Sequence, residues 1–311
     1  MPTFTTSPSK PAVLTAYFMI YVVWGSTYYV IGEAAEGMPP YVLGALRFSL
    51  AGLFMLGLAW WSGERVFQRR LVGFSALCGL LLLFTDMLAI MLALRFITSS
   101  LVAVLAASTL IWITLLDAPM WRYNLRSPAV IAGVLGGMGG VVLLYSGHLA
   151  EQGEAAAQGI LIFLGGALCW ALGSLISKYK ASSYESVNAW SGTAWQMLAA
   201  AVLFWLCALG SGELQQVEWS GISPGAWGAL AYLVVFGSVM AYSSYVWLLK
   251  IRPATEVGTH AYANPFIAIV LGVCLGHEEI SFYQWVGLAV ILLSLFMVNR
   301  YRVNKGIYNE G

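Results

Sequence analysis

The chain consists largely of apolar stretches about 20 residues long, which follow one another with only short polar interruptions. A stretch of this length can cross the hydrocarbon core of a bilayer as a helix. Hydrophobic residues make up 60% of the 311 residues and charged residues only 9%, whereas soluble domains carry about 25% charged residues. Because so few charges cannot cover a soluble globule, the sequence indicates a polytopic membrane protein.

A window of about 20 residues divides the chain into predicted spans. They lie near residues 13–32, 41–61, 71–94, 98–119, 128–146, 159–177, 188–209, 226–249, 254–275 and 283–300. Pro40, Pro128, Pro224 and Pro253 stand at predicted helix starts, where the missing N–H group removes no hydrogen bond. The runs lack the period-two alternation of membrane strands. The predicted fold class is therefore an all-α polytopic membrane protein with ten transmembrane helices.

The basic residues predict how these spans are oriented. Thirteen of the fifteen lie in the terminal segments or in alternate connections: Lys10, Arg65, Arg69, Arg70, Arg122, Arg126, Lys178, Lys180, Lys250, Arg252, Arg300, Arg302 and Lys305. The remaining connections carry acidic residues. Since basic loops stay in the cytoplasm, we expect a multi-pass protein of the cell inner membrane with both termini cytoplasmic.

The ten spans divide into two similar groups of five, residues 1–150 and 151–311. Trp24-Gly25-Ser26 in the first span corresponds to Trp170, Gly173 and Ser174 in the sixth. More weakly, residues 105–110 align with residues 261–266. Because five is odd, the second group must enter the membrane in the opposite sense. Inverted repeats of this kind place a substrate site near the midplane and support alternating access.

Several of these motifs resemble the drug/metabolite transporter superfamily, EamA type. They are residues 24–28 (Trp-Gly-Ser-Thr-Tyr), residues 46–48 (Leu-Arg-Phe), the segment 245–253 and residues 261–266 (Ala-Tyr-Ala-Asn-Pro-Phe). The resemblance covers roughly residues 13–300 and is greatest to bacterial inner-membrane amino-acid and metabolite exporters. It implies two inverted five-helix repeats, a central cavity lined mainly by helices 1, 3, 4, 6, 8 and 9, and efflux as the common direction.

Ionisable side chains within the spans are candidates for function, because burying them in a bilayer costs several kcal/mol. Arg47 in the second span and Asp86 in the third lie at similar predicted depths. One hypothesis is an ion pair that joins the two helices. The other is a role in gating or in recognising a substrate carboxylate.

Polar residues recur on one face of the ninth predicted span. Glu256, His260 and Asn264 follow one another at intervals of four residues, so they share a helix face. Such a stripe should face protein or a water-filled cavity. His260 and Glu256 could carry a coupling proton, and a structural hydrogen-bond ladder is the alternative. Pro265 removes one N–H group and predicts a helix break about one turn earlier.

Aromatic residues well inside the spans complete the predicted substrate cavity, although packing alone explains any one of them. The predicted cavity contains Trp24, Ser26, Tyr28, Asp86, Ser108, Trp112, Trp170, Ser174, Tyr242, Tyr245, His260 and Asn264. The residues predicted to act in gating or coupling are Arg47, Asp86, Glu256 and His260. A mostly apolar chamber with a few polar points suits a zwitterion with an apolar or aromatic side chain.

The sequence indicates neither an enzyme nor a protein with a metal or other cofactor. It contains no H-E-x-x-H, G-x-S-x-G or phosphate-binding glycine motif, and its four cysteines lie in apolar runs without a C-x-x-C pair. The net charge of +1 suggests no nucleic-acid partner. Glycines of the fifth predicted span have G-x-x-x-G spacing, which allows close helix contact within the bundle or between protomers. A monomer and a homodimer therefore both stay open.

These observations lead to one main hypothesis about function. The chain is predicted to be a secondary transporter that exports amino acids or similar small amphipathic metabolites by alternating access. Proton coupling is a further hypothesis. The alternatives are an exporter of unrelated drugs or metabolites, and a membrane scaffold that transports nothing. The expected partners are a small-molecule substrate and the lipid bilayer.

Overall fold

A computed structural model describes residues 9–97, 99–144, 156–180, 189–267 and 281–304. These ranges contain helices, turns and short connections, and no β-strand lies within them. The predicted all-helical class is therefore confirmed for the described chain.

The helices follow the predicted spans closely. α1 comprises Lys10–Phe18, a π-helical turn at Met19–Val23 and Trp24–Ala35, α2 is Pro40–Trp61, and α3 is Arg69–Ala93 with a π-helical turn at Leu80–Phe84. α4 comprises Ser99–Ala106 and Ser108–Leu116, α5 is Pro128–Leu144, α6 is Ala156–Lys180, and α7 is Ala189–Ser211. α8 is Pro224–Ile251 with a π-helical segment at Leu233–Tyr242, α9 comprises Ala254–Val257 and the helical residues 260–267, and α10 is Phe282–Asn304.

Several of these helices can cross a membrane. Within the described ranges, α2, α3, α6, α7 and α8 are each long and apolar enough to do so unaided. Counting two bent helix pairs as single spans raises the number from five to seven. The multi-pass prediction is thus confirmed, whereas ten spans arranged as two inverted repeats stays a prediction.

The chain folds into two compact units, and each of them takes helices from both halves of the sequence. The first unit consists of Met1–Thr85 and Ile176–Lys250, and the second of Asp86–Leu175 and Ile251–Gly311. The predicted division near residue 150 concerns internal similarity rather than compactness. The two compact units therefore do not test the predicted repeats, which stay a prediction.

In the first unit, α2 packs along α7. The rings of Phe48 and Phe204 stack with centroids 5.9 Å apart, and the Trp205 indole donates a hydrogen bond to Ser49 Oγ at 3.0 Å. Gly52 permits close approach, because a Cβ atom there would lie 2.8 Å from Cγ of Leu198. The contact between α2 and α7 thus combines aromatic stacking, a side-chain hydrogen bond and close approach at positions without a side chain.

Two glutamates cap the beginnings of these same two helices. Glu213, just after α7, accepts hydrogen bonds from the backbone N–H groups of Tyr41 at 2.8 Å and Val42 at 3.4 Å, in the first turn of α2. Glu64, just after α2, accepts from the N–H groups of Trp190 at 3.4 Å and Ser191 at 2.9 Å, in the first turn of α7. Each carboxylate satisfies N–H groups that have no partner within their own helix. A negative charge at a helix N-terminus also interacts favourably with the helix dipole.

The same tripeptide, Ser-Gly-Glu, brings both glutamates into position. Gly63 has φ 76° and Gly212 has φ 78°, in the left-handed region that glycine adopts without steric strain. The left-handed residue ends each helix and turns the chain, so that the following glutamate reaches the start of the neighbouring helix. Because each helix end caps the other helix's beginning, α2 and α7 are fastened to each other at two points.

Removing either cap should destabilise the protein. We expect Glu64→Ala and Glu213→Ala each to lower the free energy of unfolding by about 1–2 kcal/mol, because two N–H groups lose a charged acceptor. Denaturant unfolding of the purified protein measures this, with the exposed Glu33→Ala on α1 as control. Unfolding curves for the two cap variants that match the control would contradict the capping role.

In the second unit, glycines of α5 meet α10. A Cβ atom at Gly133 would lie 2.6 Å from Cγ2 of Val298, and one at Gly140 would lie 2.9 Å from Cγ1 of Ile291. Gly137 lies against the ring of Tyr262 on α9, whose hydroxyl donates to the Val134 carbonyl at 2.6 Å. The glycine spacing of the fifth span therefore serves contacts inside this unit.

Two adjacent glycines of α5 provide a matched test of this packing. Gly140→Ala should lower the free energy of unfolding by about 1–3 kcal/mol, since the new methyl group meets α10, including the backbone oxygen of Gly287 at 3.0 Å. Gly139→Ala should leave stability unchanged or raise it slightly, because nothing lies within 4 Å of a Cβ atom there. Equal effects of the two substitutions on denaturant unfolding would rule out this contact.

Candidate functional site

An aromatic and polar cluster in the first unit surrounds the π-helical segment of α8. The indole N–H of Trp24 on α1 donates to the carbonyl of Gly237 at 2.9 Å. The Trp24 ring lies 5.3 Å from the Tyr245 ring and 6.5 Å from the Tyr242 ring, measured between centroids. Three of the predicted cavity residues are therefore brought together.

Arg47 of α2 reaches the same segment of α8. Its side chain is 9% exposed, and its Nε donates to Oγ of Ser238 at 2.8 Å. Its guanidinium carbon also lies 5.3 Å from the centroid of the Phe48 ring, within cation–π range. A Cβ atom at Gly237 would lie 3.0 Å from Nη2 of Arg47, so this glycine makes room for the guanidinium group.

The charge of Arg47 has no carboxylate partner among the described residues of its own unit. Among the described residues of the first unit, no aspartate or glutamate forms an ion pair with it. A buried cation whose described partners are a neutral hydroxyl and an aromatic ring is costly, so a bound anion would stabilise it. The predicted pairing with Asp86 involves a residue assigned to the second unit, and it stays a prediction.

Two members of this cluster were not predicted from the sequence. Ser238 accepts the Arg47 hydrogen bond, and Gln196 of α7, fully buried, accepts one from the Tyr242 hydroxyl at 2.6 Å. Both are uncharged polar residues in the middle of apolar runs. A polar residue within an apolar predicted span was the signal that could have identified them. A search for charged residues within the spans does not find uncharged ones.

Ser26 forms hydrogen bonds where α1 contacts α8. Its Oγ lies 2.7 Å from the Tyr232 hydroxyl and donates to the Val23 carbonyl at 2.7 Å. These contacts link α1 to α8. The side chain of Tyr28, another predicted cavity residue, lies outside the described part of the structure.

In the second unit, α9 is interrupted earlier than predicted. The helix breaks at Gly258 and Thr259, and the helical residues 260–267 run through Pro265. Glycine weakens a helix, and the Thr259 hydroxyl donates to the Glu256 carbonyl at 2.6 Å, which competes with the backbone pattern. The helix continues through Pro265, so the observed break lies about two turns before this proline, whereas the predicted break lies about one turn before it.

The polar stripe of α9 is buried. Glu256, His260 and Asn264 are 5%, 6% and 6% exposed. Nδ1 of His260 lies 2.9 Å from the Val257 carbonyl oxygen, and its ring centroid is 6.3 Å from that of Trp170 on α6. His260 and Trp170, both predicted cavity residues, are therefore neighbours within this unit.

Further along the second unit, α4 carries two polar side-chain atoms without hydrogen-bond partners. Oγ of Ser108 and Nε1 of Trp112 are buried and form no hydrogen bond with any described residue. Their separation of four residues places them on one helix face. Buried polar atoms usually have a partner, so this face can donate to a ligand or to water.

The two remaining predicted residues of this unit differ in their surroundings. Oγ of Ser174 donates to the Trp170 carbonyl at 2.7 Å within α6, as serines in helices commonly do. Asp86 lies half-buried in the second part of α3.

Several membrane-spanning helices with polar and charged side chains buried inside them are typical of membrane transporters. A model of the EamA-like transporter family matches residues 11–146 and again residues 157–300. The chain belongs to the EamA-like transporter family. This confirms the resemblance seen in the sequence.

Individual relatives agree with this assignment. The chain is 31% identical over 286 residues to "Uncharacterized inner membrane transporter YedA" of Escherichia coli strain K12, covering 91% of this chain and 89% of that protein. It is 23% identical to a protein of the same strain named "Probable amino-acid metabolite efflux pump", covering 90% and 92% of the two chains. A protein of known crystal structure shares the fold, with a TM-score of 0.78 at 22% identity and coverage of 96% and 99%.

Proposed function

We propose that the protein is a secondary transporter that exports amino acids or similar small amphipathic metabolites across the inner membrane by alternating access. Membership of a transporter family supports the general activity. The similarity to a protein named as an amino-acid metabolite efflux pump supports the substrate class and the direction.

The observation that carries the substrate proposal is the buried guanidinium group of Arg47. It donates to Ser238 and has no acidic partner among the described residues of its unit. Arginine binds carboxylates through paired N–H groups. A substrate carboxylate would supply the missing negative charge. The rings of Trp24 on α1 and Tyr245 on α8 lie next to the same segment of α8 and would contact an apolar side chain.

Two features support an inverted repeat as the basis of alternating access. The family model matches the chain twice in succession. The second feature is the pair of Ser-Gly-Glu turns. The glutamate after α2 accepts hydrogen bonds from the second and third residues of α7, and the glutamate after α7 accepts them from the second and third residues of α2. An exchange of this kind is what a two-fold relation between repeats produces. Both termini are then cytoplasmic, in keeping with the basic connections.

We further propose proton coupling through α9. His260 and Glu256 are ionisable side chains buried in the same short stretch of α9. A buried acid–imidazole pair of this type recurs where protons cross membranes.

The carboxylate assignment can be tested with a substrate and its amide. In proteoliposomes, we expect the wild-type protein to transport a labelled amino acid well and its carboxamide poorly, because the amide lacks the charge that pairs with Arg47. Arg47→Gln should raise KM for the acid about thirtyfold or more and should not discriminate between acid and amide. The control is Arg69→Gln, which replaces an exposed basic residue of α3.

The outcomes of this comparison are separable. If Arg47→Gln keeps the wild-type preference for the acid, Arg47 does not bind the carboxylate. If no amino acid in a labelled panel is transported by the wild-type protein, the proposed substrate class is wrong.

Proton coupling requires a separate measurement. An imposed pH gradient should accelerate amino-acid flux by the wild-type protein, whereas His260→Gln and Glu256→Gln should transport at a rate independent of the gradient. Glu33→Gln, an equivalent change at an exposed carboxylate on α1, serves as the control. A gradient response that persists in both α9 variants would exclude these residues as proton carriers.

A further inference from the structure

A groove between the start of α3 and the end of α6 combines two cations with an apolar surface. It lies in the first unit and has a volume of about 450 Å³. The lining residues are Arg70, Gly73, Phe74, Leu77, Ile176 and Lys180. None of them belongs to the clusters described above.

The spacing of these residues gives the groove a charged end and an apolar end. Arg70, Gly73 and Leu77 follow one another at intervals of three and four residues, so they share one face of α3. The same face extends about 10 Å along the helix axis from the arginine to the leucine. On α6, Ile176 and Lys180 are four residues apart. Each helix thus contributes one cation next to apolar side chains.

The two cations are available to a ligand. Arg70 and Lys180 are exposed, and neither has an ion pair or hydrogen bond with any described residue. Lys178, one turn away on α6, differs because it donates to the Leu249 carbonyl at 2.9 Å. Unpaired cations at the end of a membrane-spanning helix lie where phospholipid head groups are found.

The apolar part of the groove is open towards the surface. Leu77 is 44% exposed, whereas Phe74 is 8% exposed and forms the floor. Nothing lies within 4 Å of a Cβ atom built at Gly73. An acyl chain could therefore lie along the helix over this glycine and contact Leu77.

We propose that this groove binds one anionic glycerophospholipid. The phosphate lies between Arg70 and Lys180, where the arginine can donate paired hydrogen bonds to phosphate oxygens. The first part of an acyl chain lies over Gly73 and Leu77. This binding does not depend on the transported substrate or on the transport mechanism.

Native mass spectrometry of the full-length protein in detergent tests the proposal. On titration with phosphatidylglycerol, we expect one lipid to be retained preferentially, and phosphatidylcholine with the same acyl chains to be retained much less. Arg70→Gln and Lys180→Gln should each weaken phosphatidylglycerol binding about fivefold. The exposed neighbour Arg69→Gln, which does not line the groove, should bind like the wild-type protein.

A variant that fills the groove distinguishes binding in the groove from binding to a diffuse basic surface. Gly73→Leu keeps both cations but fills the open space, so it should also lose the retained lipid. Thermal unfolding without added lipid should show that all four variants remain folded. Inorganic phosphate at millimolar concentration should not displace the lipid, because phosphate lacks the acyl chain.

Four results would overturn the proposal. They are equal retention of phosphatidylcholine, an equal loss of binding in Arg69→Gln, undiminished binding in Gly73→Leu, and displacement by inorganic phosphate. The last result would identify the groove as a site for free phosphate.

Discussion

A backbone N–H group in the first turn of a helix has no partner within that helix, and a bilayer offers it no water. In the first unit, Glu64 and Glu213 meet this requirement for α7 and α2. Because each glutamate follows one helix and caps the other, the pairing of α2 with α7 is determined at both ends. The aromatic stack of Phe48 on Phe204 and the close approach at Gly52 then depend on a register that the caps maintain.

The same requirement explains much of what the sequence predicts well. A span must satisfy its own backbone, so long apolar runs become helices, and prolines at positions 40, 128 and 224 begin them as expected. What could not be predicted depends on partners distant in sequence. The glycines of α5 could have met another protomer, and only the contacts of Gly133 and Gly140 with α10 show where they pack.

The candidate site shows the same division between local and distant information. Arg47 and Trp24 could be selected from the sequence because charge and large aromatic rings are conspicuous inside spans. Ser238 and Gln196 were missed because a lone hydroxyl or amide is tolerated in many helices, and its meaning depends on the neighbour it bonds. The break in α9 lies at Gly258 and Thr259, where glycine weakens the helix and the Thr259 hydroxyl bonds to the Glu256 carbonyl, whereas the prediction rests on Pro265 alone.

Charge is scarce in this chain, and its two structural settings have different consequences. Arg70 and Lys180 lie exposed at helix ends, where water or head groups solvate them and their position costs little. Arg47 lies inside the first unit, where, among the described residues, one hydroxyl group and the ring of Phe48 replace the hydration of a full charge. Such a group is stabilised most by a ligand that brings the opposite charge and can leave again. A permanent carboxylate partner would remove that property, because it would compete with the ligand in every transport cycle. In the proposed transport cycle, the neutral Ser238 would orient the guanidinium group and leave its charge for the substrate, which an acidic residue in its place would not do.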